Sequence, residues 1–245
     1  MNKDFNVVKV TNDLIDWIRE YFQKNGPTCN AIIGISGGKD STVCASLLVE
    51  ALGKDRVIGV TMPNGFQEDI EDSIKVTNFL GIRRINVNIY DTYRALMTGV
   101  EDGLYGIGLK REVSDNTKIN MPPRLRMTTL FAVSQTLNGR VVNTCNLSED
   151  WVGYSTLFGD AAGQFSPLGK LTVEEIIAIG DYLGLPRELV HKTPSDGLCN
   201  KTDEDNLGFR YSELDDYINT GMMEDNKKKQ LIDKKHRANL FKYKP

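Results

Sequence analysis

The sequence predicts an α/β protein whose open parallel β-sheet carries helices on both faces, and three observations lead there. Short β-branched apolar runs alternate with stretches of helical periodicity, and repeated β-α-β units of this kind place their strands parallel. The first apolar run breaks at once into Ser36-Gly37-Gly38 and then into a helical pattern. The chain of 245 residues is long enough to bury a core without staples. Residues 1–245 therefore read as one domain, with a helical C-terminal segment from about residue 205.

Each element has its own signal. Leu14, Ile15, Ile18, Tyr21 and Phe22 share a face of a helix over Thr11–Gln23, opened by a Thr-Asn-Asp run suited to N-capping and stopped by Asn25-Gly26-Pro27. Ala31–Ile35 is a short buried strand, followed by a helix that aligns Val43, Cys44, Leu47, Leu48 and Ala51. Arg56–Met62 is a second strand, Gln67–Leu80 a helix stopped by Gly81, and Arg84–Tyr90 a third strand. A helix over Pro123–Leu137 takes its proline in the first turn, and Arg140–Thr144 gives a fourth strand. Thr172-x-x-Glu175 is a capping box for a helix to Leu183. Ser212–Ile218, with a capping pattern of its own, and a polar helix over Glu224–Leu240 complete the chain. Gly99–Met121 and Leu147–Lys170 lack periodicity, and long connections of this kind are more often functional than decorative.

Composition excludes several classes. The 30 Lys and Arg are outweighed by 33 Asp and Glu, the opposite of the basic excess that phosphate-backbone binding uses, so no nucleic-acid partner is expected. No apolar run reaches the roughly 20 residues of a membrane span, and the N-terminus lacks a signal-peptide pattern. Cys29, Cys44, Cys145 and Cys199 are widely spaced and read as packing residues in a reducing cytoplasm.

The most informative segment is Gly34-Ile35-Ser36-Gly37-Gly38-Lys39-Asp40-Ser41-Thr42, where a buried strand hands over to a helix. Glycines let backbone N–H groups approach an anion, and the positive end of the helix dipole faces the same point. The serine and threonine hydroxyls add donors, Lys39 a charge, and Asp40 a carboxylate for a metal. The segment is neither a P-loop, since Lys39 is followed by Asp40, nor a dinucleotide fingerprint, whose glycine spacing it lacks. Glu149 lies just past the fourth strand, at the rim where open parallel sheets bind ligands. With Asp40 it can share magnesium on a triphosphate, because magnesium takes few protein ligands.

The loop resembles the SGGxDS signature of the PP-loop ATP pyrophosphatases. Pro123-Arg124-Leu125-Arg126-Met127, the Ser148-Glu149-Asp150 and Phe158-Gly159-Asp160 segments, and TDEDNLGFRYSELDDY over residues 202–217 resemble the ammonia-dependent NAD synthetases, in matching order over roughly residues 5–240. This resemblance implies a doubly wound fold of the adenine-nucleotide alpha-hydrolase type. It implies ATP bound by Gly34, Ile35, Ser36, Gly37, Gly38, Lys39, Asp40, Ser41, Thr144 and Ser195, with Mg2+ on Asp40 and Glu149. Arg124, His236 and Arg237 are implied for the dinucleotide, and Asp40, Lys39 and Asp160 for catalysis. The implied reaction is ATP-dependent amidation of deamido-NAD by ammonia through an adenylated carboxylate, in a homodimer. Leu157, Gln164 and Val173 depart from the family pattern at positions that normally help hold the dinucleotide or ATP, and Lys170 or Lys192 is expected to replace the missing charge. Trp151 is open between stacking on a ligand and filling a loop core. No glutaminase segment accompanies the synthetase pattern, which points to ammonia itself. A tRNA-modifying relative of the PP-loop group needs a basic RNA surface that is absent here, and a non-catalytic nucleotide sensor has no use for Asp40 and Glu149.

Overall fold

The computed structural model describes residues 4–66, 70–192 and 202–242. Strands β1 (Asn30–Gly34), β2 (Val57–Thr61), β3 (Arg83–Asn86) and β4 (Gly139–Val141) form one parallel sheet in the order β3-β2-β1-β4. The two-residue period of β1 sorts its side chains between two cores. Ala31, Ile33 and Ile35 join Val43, Leu47 and Leu48 of α2 (Lys39–Leu52) and Ile15, Ile18 and Phe22 of α1 (Val7–Asn25) on one face. Ile32 points the other way, with Ile58 and Val60, against Leu130, Val133 and Leu137. Helices on both faces follow from this division.

Several boundaries differ from the sequence expectation. Helix α1 begins at Val7, not Thr11, because the Asn6 side chain accepts from the Lys9 N–H at 3.0 Å and caps the helix earlier; Thr11 is buried inside it. Strand β3 stops at Asn86, yet the chain stays aligned with its neighbour through Val87 N–H on Thr61 O and Ile89 N–H on Pro63 O. Strand β4 is Gly139–Val141, one residue earlier than expected at its start, and Val142 continues it as a lone bridge to Phe165. The segment over Ser212–Ile218 belongs to a longer helix, Tyr211–Thr220, capped by Glu213 accepting from the Arg210 N–H rather than by Ser212.

Much of the aperiodic stretch 99–121 is helical as well. Helix α3 (Ile70–Leu80) precedes β3; α4 (Tyr90–Gly106) and the 22-residue α5 (Asp115–Thr136) follow it. Pro122 and Pro123 therefore lie inside α5 and not in a first turn. Interior prolines remove backbone hydrogen bonds, and packing offsets the loss: Pro122 is buried, and a Cβ added to Gly159 would come within 3.0 Å of Pro123 Cβ. The second unplaced stretch contributes α6 (Leu147–Val152), and the chain continues through α7 (Val173–Tyr182), α8 (Arg187–Val190), α9 (Asp203–Leu207), α10 (Tyr211–Thr220) and α11 (Asn226–Asn239). Val152, Val173, Leu207, Phe209, Tyr211, Leu214 and Ile232 tie α6, α7 and the C-terminal helices into a second core. Among the described residues no helix is long and apolar enough to cross a membrane.

Ile18 is fully buried between α1 and the sheet, so Ile18→Ala is expected to cost about 2–5 kcal/mol of unfolding free energy in urea titrations. Lys9→Ala, which removes only the exposed pair with Asp13, is expected to cost under about 0.5 kcal/mol in the same assay.

Candidate active site

The strand order reverses between β1 and β4, and ligands of open α/β sheets settle in the crevice beyond the carboxyl ends of the strands at such a switch point. The loop after β1 and the segment after β4 border it. Gly37 turns the first loop with φ +81°, and a Cβ there would come within 2.8 Å of the Ser73 backbone nitrogen. Only glycine combines that backbone angle with that approach. Gly38 has an ordinary φ of -87° and is the N-cap of α2. The hydroxyls knit the loop: Ser41 Oγ donates to Gly38 O at 3.1 Å, Thr42 Oγ1 to the same carbonyl at 2.8 Å, and Ser36 Oγ accepts from Gly38 N–H at 3.2 Å. The first-turn N–H groups of α2 precede the first intrahelical bond, Thr42 N–H to Gly38 O, and N–H groups at a helix start are able to hold an anion.

The charged centre lies beside this loop. Lys39 Nζ donates to Asp40 Oδ2 at 2.8 Å, with the Lys39 side chain only 5% exposed. Asp40 Oδ1 accepts from Asn146 Nδ2 at 3.1 Å. Asn146, fully buried, also engages Glu149 twice: its Oδ1 accepts from Glu149 N–H at 2.9 Å, and Glu149 Oε2 accepts from its N–H at 3.3 Å. One residue thus caps α6 and bridges the two carboxylates, its side-chain amide donating to Asp40 and its backbone N–H to Glu149. Burial and then the negative charge of Asp40 push Glu149 well above the ordinary carboxylate range, against the pull of Lys39. Burial alone would lower Lys39, but Asp40 and Glu149 outweigh it and hold the ammonium charged. Two acids with one buried base leave the centre short of positive charge.

A further link runs from the C-terminal region to this centre. Asp215 of α10, fully buried, accepts from Ser148 Oγ and, at 2.9 Å, from Glu174 N–H at the start of α7. Ser148 Oγ in turn accepts from Val173 N–H at 3.2 Å. The residue preceding Glu149 is thereby fixed to two helices, and burial raises Asp215 to about 6.

The other expected residues distribute unevenly. Thr144 is half-buried on the rim beyond β4. Asp160 is exposed and accepts from Thr156 N–H at 2.6 Å, its backbone carbonyl receiving Asn143 Nδ2. Arg124 Nε donates to Leu157 O at 3.3 Å, and Arg126 Nε to Met62 O at 3.0 Å. His236 stacks on Trp151 with ring centres 4.3 Å apart, and its Nδ1 lies 2.7 Å from Trp151 O; Arg237 is exposed. Trp151 thus stacks on a protein ring. Ser195 lies outside the described residues. Of the two candidate replacement charges, Lys192 reaches Asp72, against which Gly37 packs, at 2.7 Å, while Lys170 is exposed. Cys29, Cys44 and Cys145 are buried free thiols. The sequence reading missed Asn146 and Ser148. The Asn146-x-x-Glu149 capping pattern was the signal available for the first.

Comparison with known proteins gives a consistent result. The family model described as NAD synthase matches residues 10–243. An NH(3)-dependent NAD(+) synthetase of Carboxydothermus hydrogenoformans is 36% identical over 213 residues, covering 86% of this chain and 85% of that one. Among solved structures, an NMN synthetase from Francisella tularensis superposes with a TM-score of 0.88 at 31% identity, covering 99% of this chain and 98% of that one. An NH3-dependent NAD synthetase from Campylobacter jejuni superposes with a TM-score of 0.78 at 25% identity, covering 98% and 97%.

Two substitutions probe the arrangement. Gly37→Ala is expected to weaken ATP binding roughly tenfold or more, since an L side chain at this angle costs of the order of 1–2 kcal/mol; Gly38→Ala, whose Cβ would meet only Ser36 Oγ at 3.4 Å, is expected to bind within about threefold of the parent by calorimetry. For Asp215, a carboxyl raised in the folded state favours folding when protonated, so its contribution is full below about pH 4 and is lost as pH rises through about 6. Asp215→Asn is expected to flatten the pH dependence of the melting temperature across that window.

Proposed function

Because the chain belongs to the NAD synthase family, we propose that this C–N ligase amidates the carboxylate of a nicotinate nucleotide with ammonia, using ATP to activate it, and that deamido-NAD is the acceptor. The observation that carries the reading is the convergence at the switch point of an anion loop and the Asp40–Lys39–Asn146–Glu149 centre in a chain that matches the NAD synthase model from residue 10 to 243.

The residues fit a magnesium ion. Asp40 and Glu149 are both bonded by Asn146, Asp40 raises Glu149, and a cation between them relieves the repulsion that Lys39 alone does not. Among the described residues no cluster of three or more His, Cys, Asp or Glu offers a closed cage, as suits an ion that keeps phosphate oxygens and water as most of its ligands. Bound there, magnesium neutralises charge on the triphosphate.

The chain's own groups do the rest by positioning and charge. The loop Gly34–Thr42 and the α2 N-terminus hold the phosphates, and Thr144 and Ser195 complete the ATP site. Lys39 exchanges Asp40 for a phosphate oxygen. The acceptor carboxylate forms a bond to the α-phosphorus as pyrophosphate leaves, giving an adenylate. Ammonia then bonds to the acyl carbon, AMP departs with the bonding pair, and the nitrogen loses a proton. Asp160, whose carboxylate accepts from Thr156 N–H, is the group we assign to the incoming nitrogen. Arg124, His236 and Arg237 take the acceptor, and the active form is a homodimer in the cytoplasm.

A second acceptor has support of its own. Leu157, Gln164 and Val173 carry no charge where the family pattern supplies contacts to the nucleotides. Val173 is 5% exposed in the second core, and Gln164 Oε1 accepts from Val141 N–H at 2.8 Å. With the likeness to the Francisella NMN synthetase, this favours nicotinate mononucleotide as an alternative acceptor with fewer contacts to satisfy.

The test is amide formation by the purified protein from ATP, magnesium and ammonium chloride, with each acceptor in turn. Deamido-NAD preferred at least tenfold in kcat/KM is the expected result; a reversed ratio selects the mononucleotide. Release of AMP and pyrophosphate is expected with either, and Asp40→Ala is expected to lower kcat at least a hundredfold. Product absent with both acceptors, despite ATP binding, would overturn the reading.

A further inference from the structure

Tyr211 opens α10 and is 3% exposed, yet its hydroxyl has no hydrogen-bond partner among the described residues. Buried phenols nearly always find one, so an orphan hydroxyl calls for a ligand or a cost. Its surroundings identify the ligand. Lys39 Nζ lies 5.6 Å from the centre of the Tyr211 ring, and the backbone is fixed by Tyr211 N–H donating to Glu204 Oε1 at 2.9 Å. Burial and then the charges of Glu149, Asp203 and Asp40 keep the phenol protonated, leaving it an O–H donor. The ring belongs to the second core with Leu207, Phe209 and Leu214, so its position is set by packing and not by the hydroxyl.

We infer that Tyr211 is a polyphosphate-binding residue, its hydroxyl donating to a phosphate oxygen of the same ligand that draws Lys39 away from Asp40. The inference rests on ATP being the ligand of the phosphate loop. It gives the C-terminal helices a direct part in the nucleotide site. In the free protein the Lys39 ammonium lies over the ring and is paired with Asp40; when a phosphate takes the ammonium, the hydroxyl gains its acceptor.

The experiment pairs stability with binding, using the full chain and Tyr211→Phe. Thermal unfolding is measured without ligand, and binding of magnesium-ATP and of magnesium pyrophosphate is measured by calorimetry without acceptor. The variant removes one oxygen that makes no hydrogen bond, so it is expected to melt at or above the parent temperature. It is expected to bind both probes about ten- to a hundredfold more weakly, the usual worth of a hydrogen bond to a charged group. Parent-like affinity within twofold overturns the inference, whether or not the melting temperature falls. A parent that binds neither probe defeats the ATP reading and this inference together, whereas a binding parent with an unaffected variant defeats the inference alone.

Discussion

Asn146 holds two like charges at one rim, and much of the structure serves that placement. Its amide donates to Asp40, while its carbonyl oxygen and N–H engage Glu149. A buried amide with several such duties tolerates no partial satisfaction, since each lost partner leaves a polar group stranded. The segment carrying it is fixed accordingly: Leu147 N–H bonds Leu171 O, Ser148 is held by Asp215 and Val173, and His236 closes on Trp151. The sheet supplies the remaining condition, because β1 and β4 are neighbours only through the order β3-β2-β1-β4.

The C-terminal helices are part of the same construction. α10 contributes Asp215 and Tyr211; α11 contributes His236, and Lys242 beyond it donates to the carbonyls of Gly153 and Ser155. A Cβ on Gly153 would lie 2.2 Å from Asn239 Cβ, which measures how closely α11 lies on the turn that ends α6. The nucleotide-binding half and the helical half share one set of contacts.

The first βαβ unit was legible because hydrophobic period, glycine turn and charge all change within Ile33–Lys39. The phosphate loop with Asp40 was legible for the same reason, and Glu149 stood out through its place just past the fourth strand. The start of helix α5 was not, because its apolar residues follow no single stripe and Pro123 reads as a first-turn proline. What decides is tertiary packing, with Pro122 buried and Pro123 close to Gly159, which no local pattern records. The start of α1 was missed through choosing Thr11 as the cap over Asn6, an equally good one. Asn146 was missed because an asparagine before a short helix reads as a cap and nothing more. Its second duty, toward Asp40, spans 106 positions of sequence.

The pair formed by Lys39 and Asp40 places part of the desolvation of these charges in the folding reaction. With Lys39 5% and Asp40 18% exposed, much of their water has already gone before any nucleotide arrives. A ligand entering here therefore performs an ion exchange, trading one internal partner for an external one, with little fresh drying of either charge. The enthalpy and entropy of hydration that usually oppose binding of a polyanion are to that extent shifted onto the core, where the apolar packing around β1 offsets them.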